Sequence, residues 1–280
     1  MEVHSLTRRQ LEDYRSHLQA EEKSTATQEA YMRTALAFFA DSAGAVTKAS
    51  AAVYKRRLLA GGYAVRTVNA RLAALNGLFG FLGWHECRLK TVRTQRDVFR
   101  TEKRELGQAE YARLCRAAER RRNRRLCLLL QTICGTGIRV GELTFVTVEA
   151  VRAGEVTVSC KGKVRRVLLV RALREKLLRY AADIGAVEGP VFRTRTGRPL
   201  HRTNIWREMK ALCGEAGVEP QKVFPHNLRH LFALTFYRQE KDIAALADIL
   251  GHSSIETTRV YVLSTGREHR RRMENLHLIL

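Results

Sequence analysis

Several polar residues interrupt segments that are otherwise apolar, and their types suit chemistry on a phosphodiester. Such an ester carries one negative charge over two non-bridging oxygens, which guanidinium groups stabilise through paired, charge-assisted hydrogen bonds. A phenol, with a pKa of about 10, becomes a nucleophile only beside a proton acceptor or strong positive charge. In chain order the interrupting residues are Arg139, Glu142, Lys161, His226, Arg229, His252 and Tyr261.

The segment FPHNLRH carries three of the titratable or cationic groups. Pro225 fits the first position of a helix, so His226, Arg229 and His230 fall at i, i+3 and i+4 on one side. His226 then lies near the helix N-terminus, where the dipole disfavours protonation and leaves a neutral ring that can accept a proton. The pair His226 and His230 also has zinc-ligand spacing, but no third ligand follows at a matching distance. The sequence therefore predicts no metal site.

The charge balance predicts a polyanionic partner. Fifty Lys and Arg residues against 28 Asp and Glu give a formal net charge of +22, and the excess is present in both halves of the chain. Two basic regions suit two domains that bind one DNA duplex, whereas a merely solvated basic surface is the alternative. The six cysteines form no CxxC pair. With no apolar run of membrane-spanning length and a polar N-terminus, we expect a soluble, cytoplasmic protein with reduced thiols.

The first ninety residues predict a helical domain, because four segments repeat apolar residues every three or four positions. The domain boundaries that we predict are 1–92 for this domain, 93–104 for a polar and basic linker, and 105–280 for a second domain. The fourth helix carries Arg66, Asn69 and Arg71 near its start as candidate DNA contacts, although solvated side chains are the alternative. The four predicted helices are Leu6–Ala20, Thr25–Ala40, Thr47–Ala60 and Val65–Trp84.

The second domain mixes helical periodicity with β-branched segments, which predicts a mainly α fold with a small antiparallel sheet, an α+β class. The turn CKGK joins the last two strands, and Arg202 beside a later helix is another candidate phosphate contact. The predicted strands are Thr144–Val148, Glu155–Cys160 and Val164–Val170. The predicted helices are Gly107–Arg122, Arg125–Cys134, Leu173–Ile184 and Thr203–Ala216.

These motifs, in this order, resemble the tyrosine recombinase (phage integrase) family, and are most similar to Xer-type and transposon integrases. The resemblance is carried by GTGIRVGEL, CKGK, HNLRH, LGH and a tyrosine nine residues after that histidine. It covers essentially the whole chain and implies a helical, SAM-like core-binding domain followed by a catalytic domain. Two positions depart from the family pattern: Cys160 stands where a glycine is usual, and Asn227 where an aspartate is common.

The resemblance also implies roles for the residues. Tyr261 would attack the phosphorus and form a 3′-phosphotyrosyl bond, which leaves a free 5′ hydroxyl. Lys161 resembles the general acid that protonates the departing oxygen, and Lys163 in the same turn is the alternative. His252 would bind a phosphate oxygen or position Tyr261. Two further residues, Glu142 and His230, would support the site by orienting a catalytic side chain or packing behind it.

As a whole, the resemblance implies a site-specific DNA recombinase or integrase that needs no metal, ATP or other cofactor. Its partners would be double-stranded DNA recombination sites and directionality or accessory factors. A homo-tetramer on DNA would form through exchange of the C-terminal segment, where Leu276 and Leu278–Leu280 follow a basic stretch. That segment could instead fold onto its own core. Two alternative functions are a type IB topoisomerase and a non-catalytic DNA-binding regulator on the same scaffold.

Overall fold

The computed structural model describes residues 3–93, 105–160, 163–194, 196–262 and 274–275. The chain divides into two compact units, Met1–Arg96 and Asp97–Leu280. Each unit has its own hydrophobic core. The fold is mainly helical with small antiparallel sheets, which confirms the predicted class. The functional domain boundaries stay a prediction, and residues 94–104 of the predicted linker lie outside the described part.

In the first unit, side-chain caps begin three of the four helices. Thr7, Ser24 and Thr47 each accept a hydrogen bond from a backbone N–H of the first turn. Such a cap contributes about 0.5–2 kcal/mol to stability. The helices pack their apolar faces around Phe38 and Phe79, which are fully buried. The elements are β1 (His4–Ser5), α1 (Arg8–Ala20), α2 (Thr25–Ser42), β2 (Ala45–Val46), α3 (Lys48–Ala60) and α4 (Val65–Phe81), and β1 pairs with β2.

Two asparagines on α4 hold the chain that leaves this unit. The Asn69 side chain exchanges two hydrogen bonds with the backbone of Val92, at 2.8 and 3.0 Å. Seven positions further along α4, Asn76 makes the same pair of hydrogen bonds with the backbone of Leu89, both at 2.8 Å. Because each amide binds both the N–H and the carbonyl group of one residue, and Lys48 and Lys55 bind the carbonyl groups of Arg88 and Lys90, this segment is fixed to the first unit.

In the second unit, α6 lies at the centre of the core, with Leu126, Leu130 and Ile133 almost completely buried. A two-stranded antiparallel hairpin pairs Glu155 with Leu168 and Cys160 with Lys163. The described elements are α5 (Gln108–Arg120), α6 (Arg124–Thr136), a 3₁₀ helix (Val140–Phe145), α7 (Val148–Ala153), β3 (Glu155–Cys160), β4 (Lys163–Leu168), α8 (Arg171–Asp183), α9 (Arg202–Ala211), α10 (Cys213–Ala216), α11 (Pro225–Glu240), α12 (Ile243–Leu250) and α13 (Ile255–Val262).

The predicted strand Thr144–Val148 was wrong. The segment is instead the end of the 3₁₀ helix and the start of α7, and Thr147 between them forms a single antiparallel bridge with Pro190. The Thr147 hydroxyl accepts the N–H of Ala150 at 3.2 Å and so caps α7. This local hydrogen bond overrides the β propensity of the threonines and valines. The predicted helix Thr203–Ala216 is likewise interrupted, because α9 ends at Ala211 and α10 is a separate turn.

The end of α6 is built for close packing. Gly137 caps this helix with a φ of +65°, a conformation that favours glycine. A Cβ at this position would lie 2.6 Å from the Phe232 ring and 2.8 Å from a Leu250 methyl group. Because only a hydrogen fits there, α11 and the end of α12 approach the backbone that leads to Arg139.

Candidate active site

The structure brings five of the six predicted catalytic side chains into one region of the second unit. Arg139 follows the α6 cap, at the start of the 3₁₀ helix. His226 and Arg229 lie in the first turns of α11, where Pro225 occupies the predicted first position. His252 follows the glycine cap of α12, and Tyr261 lies on α13. Lys161 lies outside the described residues.

Arg229 is a buried cation, with 2% of its surface exposed. Its Nη2 donates to the carbonyl oxygen of Leu250 at 2.8 Å and contacts His252 Nε2 at 2.9 Å. Its Nη1 donates to the carbonyl oxygen of Gly137. The two carbonyls lie at the C-terminal ends of α12 and α6, where helix dipoles favour positive charge. No carboxylate pairs with Arg229 among the residues that the structure describes.

Burial and the nearby Arg139 guanidinium lower the pKa of Arg229 to about 10, while a hydrogen bond with Tyr261 opposes this lowering. The group therefore remains protonated at neutral pH, in spite of desolvation and like-charge repulsion. Arg139 stands at the more open side of the site, with 44% of its side chain exposed. The two guanidiniums are close enough for Arg139 to lower the pKa of Arg229, so this side of the site is positively charged.

His252 is held from both ring nitrogens. Nε2 contacts Arg229, and Nδ1 lies 2.8 Å from the hydroxyl of Thr258, a fully buried residue on α13. Burial, followed by the charges of Arg229 and Arg139, lowers the pKa of His252 to about 4. The imidazole is therefore neutral at pH 7.

Tyr261 lies among three histidines and is 6% exposed. Its ring is stacked on His230 and on His252, with centroid distances of 5.4 and 5.7 Å. Its hydroxyl lies 3.5 Å from His226 Nε2, at the outer limit of a hydrogen bond. Catalytic hydrogen bonds are often long in ligand-free sites and shorten when substrate binds. His226 is exposed, whereas His230 is buried behind the tyrosine ring.

Glu142 is a buried carboxylate that holds Arg139 and a second arginine. Its oxygens accept the backbone N–H and the Nη1 of Arg139, both at 2.9 Å. Arg165 Nη2 donates to the same carboxylate at 2.6 Å. Burial raises the pKa of Glu142, but these hydrogen bonds outweigh that effect and the net change is a lowering. The carboxylate therefore stays ionised and binds Arg139 through two hydrogen bonds.

Arg165 was missed by the sequence analysis. It lies on β4 with Val167 and Leu169 on the side that is partly or fully buried, whereas Val164, Arg166 and Leu168 are exposed. A charged residue on the apolar face of a strand is unusual and would have been the signal. That signal appears only once the strand register is known. Lys163 pairs with Cys160 through the backbone, and its side chain is outside the described part.

The predicted DNA contacts divide by environment. Arg66 on α4 and Arg202 at the start of α9 are exposed. Asn69 instead binds the backbone of Val92, and Arg71 stacks over the ring of Tyr63 at 4.2 Å.

Potential metal ligands gather elsewhere. Over the described ranges, the group of three candidate ligands is His4, Glu86 and Cys87, in the first unit. There the histidine is 2.5 Å from the Glu86 carboxylate and stacks on Trp84. Also within the described ranges, no helix is long and apolar enough to span a bilayer.

Comparison with known proteins identifies the family. The model of the phage integrase family matches residues 104–267. The chain belongs to this family, the tyrosine recombinases. Tyrosine recombinase XerA of Pyrococcus furiosus is 29% identical over 278 residues, which cover 96% of this chain and 94% of that protein. Tyrosine recombinase XerD of Xanthomonas axonopodis pv. citri is 34% identical over 164 residues, so that the chain spans about half of it, 53%.

Solved structures of two integrases share the fold. A lambda integrase tetramer bound to a Holliday junction matches with a TM-score of 0.75 and 18% identity, over 92% of this chain and 77% of that chain. The Tn1549 transposon integrase in complex with transposon right end DNA matches with a TM-score of 0.72 and 18% identity, over 95% of this chain and 99% of that chain. At this level of identity the similarity shows a common architecture.

Proposed function

We propose that this chain is a site-specific DNA recombinase that cleaves and rejoins strands through a covalent bond between Tyr261 and the 3′ phosphate. The observation that carries the proposal is the buried, positively charged Arg229 beside Tyr261. Its hydrogen-bond partners are carbonyl groups, a neutral imidazole and a phenol, so none of them cancels its charge. Buried ions normally require a counter-charge, and a phosphodiester oxygen would supply one.

Burial and then repulsion by Arg139 lower the pKa of Arg229, and binding of the phosphodiester would relieve that repulsion. Both guanidiniums would then bind the non-bridging oxygens, where charge increases as the nucleophile attacks. They would supply the stabilisation that a metal ion provides in other phosphoryl-transfer enzymes. We therefore expect cleavage without a metal cofactor.

In the proposed cleavage step, the Tyr261 hydroxyl oxygen attacks phosphorus and the bond from phosphorus to the 5′ oxygen breaks. The tyrosine proton passes to His226, whose Nε2 is 3.5 Å away. Lys161, or Lys163 in the same turn, gives a proton to the departing 5′ oxygen. Rejoining is the reverse reaction with the 5′ hydroxyl of another strand. One phosphate ester replaces another in each step, so no ATP is required.

Recombination joins two duplexes by four cleavages, so we expect a homo-tetramer on DNA.

The C-terminal residues Leu276 and Leu278–Leu280, which lie outside the described residues, are proposed to dock on a neighbouring subunit. Deletion of residues 276–280 should leave binding to one site intact and abolish assembly of two duplexes, as measured by native gel mobility. If the protein that lacks residues 276–280 still assembles two duplexes, this segment does not hold the subunits together. The proposed activity requires cellular DNA, so we expect the protein to act in the cytoplasm, with accessory factors setting direction.

A covalent-trapping experiment tests the reaction. The protein first selects its site from random-sequence duplexes, and a nick is then placed so that cleavage releases a short 5′-hydroxyl fragment. Loss of this fragment prevents rejoining, so wild type should accumulate a complex that survives boiling in detergent. Tyr261→Phe should bind with equal affinity and form none. An undiminished adduct in Tyr261→Phe would overturn the assignment, and mass spectrometry of the adduct would identify the linked residue.

A further inference from the structure

We infer that Arg165 is a positioning residue that ties strand β4 to the two segments that hold Arg139 and Arg229 in the active site. The inference rests on the proposed cleavage function. The observation behind it is that one mostly buried side chain, 13% exposed, connects three separate elements of the second unit. These are β4, on which Arg165 lies, the 3₁₀ helix Val140–Phe145, and the C-terminal end of α12.

One terminal nitrogen of the Arg165 guanidinium binds Glu142. Its Nη2 donates to Glu142 Oε2 at 2.6 Å. The same oxygen accepts the backbone N–H of Arg139, while the other oxygen accepts Arg139 Nη1. Arg165 therefore acts on Arg139 through one shared carboxylate. Without Arg165, the Glu142 carboxylate would keep only the two hydrogen bonds from Arg139. Glu142 would then have no independent support with which to orient Arg139.

The other terminal nitrogen of the Arg165 guanidinium binds the end of α12. Its Nη1 donates to the carbonyl oxygen of Ile249 at 3.0 Å. The next carbonyl, that of Leu250, accepts a hydrogen bond from Arg229 at 2.8 Å. The two arginines thus bind consecutive carbonyls of the turn that leads into His252. A helix end held by two cations has little freedom to shift.

The aliphatic part of Arg165 packs on this same turn. Gly251 has a φ of +63°, and a Cβ on it would collide with the Arg165 side chain. The missing side chain at Gly251 therefore makes room for the arginine. Arg165 lies on the part of β4 that pairs with β3, opposite Val158, and Lys161 lies four positions before it in the sequence.

An arginine is required for this geometry. The guanidinium presents donors in two directions, and here they serve acceptors on two different elements. A lysine ammonium is a single point charge and cannot hold both at once. Misplacement of catalytic groups by about 1 Å can cost about 100-fold in rate, and loss of an orienting partner typically costs about 10–100-fold.

The test compares Arg165→Lys and Arg165→Gln with Arg166→Gln. Arg166 is the next residue on β4, its side chain is 72% exposed, and it lies 3.7 Å from Glu155. Single-turnover cleavage of the nicked substrate is measured at saturating protein, with DNA affinity and thermal unfolding measured in parallel. Both Arg165 variants should cleave about 10–100-fold more slowly with affinity unchanged within about twofold. Arg166→Gln should match wild type in both.

A double-mutant cycle separates positioning from general stability. If Arg165 acts through Glu142, Arg165→Gln should cost several-fold less in cleavage rate when Glu142→Gln is already present. Arg165→Lys replaces it in the cycle if Arg165→Gln lowers the folded fraction. The inference would be overturned if Arg165→Gln lowered the cleavage rate by the same factor with Glu142 and with Glu142→Gln. It would also be overturned if the Arg165 variants cleaved as fast as Arg166→Gln. If wild type itself forms no adduct, the proposed function fails instead.

Discussion

The Nη2 atom of Arg229 lies 2.9 Å from Nε2 of His252. A guanidinium has donors and no acceptor, so Nε2 must present its lone pair. The ring proton then belongs on Nδ1, where it is donated to the Thr258 hydroxyl at 2.8 Å. These two contacts define one neutral tautomer, in agreement with the pKa of about 4 that burial and Arg229 give to His252. Thr258 is therefore the residue that sets the orientation of this imidazole.

Replacement of Thr258 by valine should slow cleavage about tenfold. Valine nearly preserves the shape but removes the oxygen that accepts the Nδ1 proton, and an unsatisfied buried donor also costs about 1–3 kcal/mol in folding free energy. Thr258→Ser should restore most of the rate. Thr257, the preceding residue, is exposed and provides the control Thr257→Val. Single-turnover cleavage and urea unfolding measure the two effects, and equal rates for both valine variants would contradict the role.

The pH dependence of stability should report His252. Its pKa is about 4 in the folded chain, against about 6.5 when unfolded. Between these values only the unfolded state takes up the proton, so stability falls as pH decreases from about 6.5 towards 4 and is unaffected by this group above 6.5. His252→Gln should show a shallower decline over that window in urea unfolding. Parallel stability profiles for the two proteins would rule out the lowered pKa.

The sequence predicted what local signals encode. Helices appeared where caps and periodic apolar residues agree, and Pro225 marked the start of α11. The strand predicted at Thr144–Val148 failed because the capping hydrogen bond of Thr147 outweighs β propensity. Arg165 could not be found without the register of β4, since only tertiary pairing turns it inward. The deep burial of Arg229 likewise depends on the end of α6, where Gly137 lies 92 positions earlier in the chain, and on the packing of α12 against α11.

Substitution of Gly137 should test how the site is packed. Gly137→Ala would place a methyl group within 3 Å of Phe232 and Leu250 at a positive φ. The clash and the strain should destabilise the second unit by about 1–3 kcal/mol and displace the carbonyl that binds Arg229. Cleavage should therefore fall together with stability. Gly141→Ala is the control, because a Cβ there meets nothing within 4 Å; a similar loss in both variants would refute the packing account.

The predicted DNA contacts on α4 can be separated by salt dependence. Arg66 is exposed and suited to a phosphate, whereas the Asn69 amide is bound to the backbone of Val92. Loss of one phosphate contact reduces the slope of log K against log salt by about one. Arg66→Ala should show that reduction with normal stability. Asn69→Ala should keep the slope and lose about 1 kcal/mol or more of folding free energy, because two backbone partners are released. An unchanged slope for Arg66→Ala would remove that residue from the DNA interface, and a reduced slope for Asn69→Ala would show that its amide serves DNA rather than the chain.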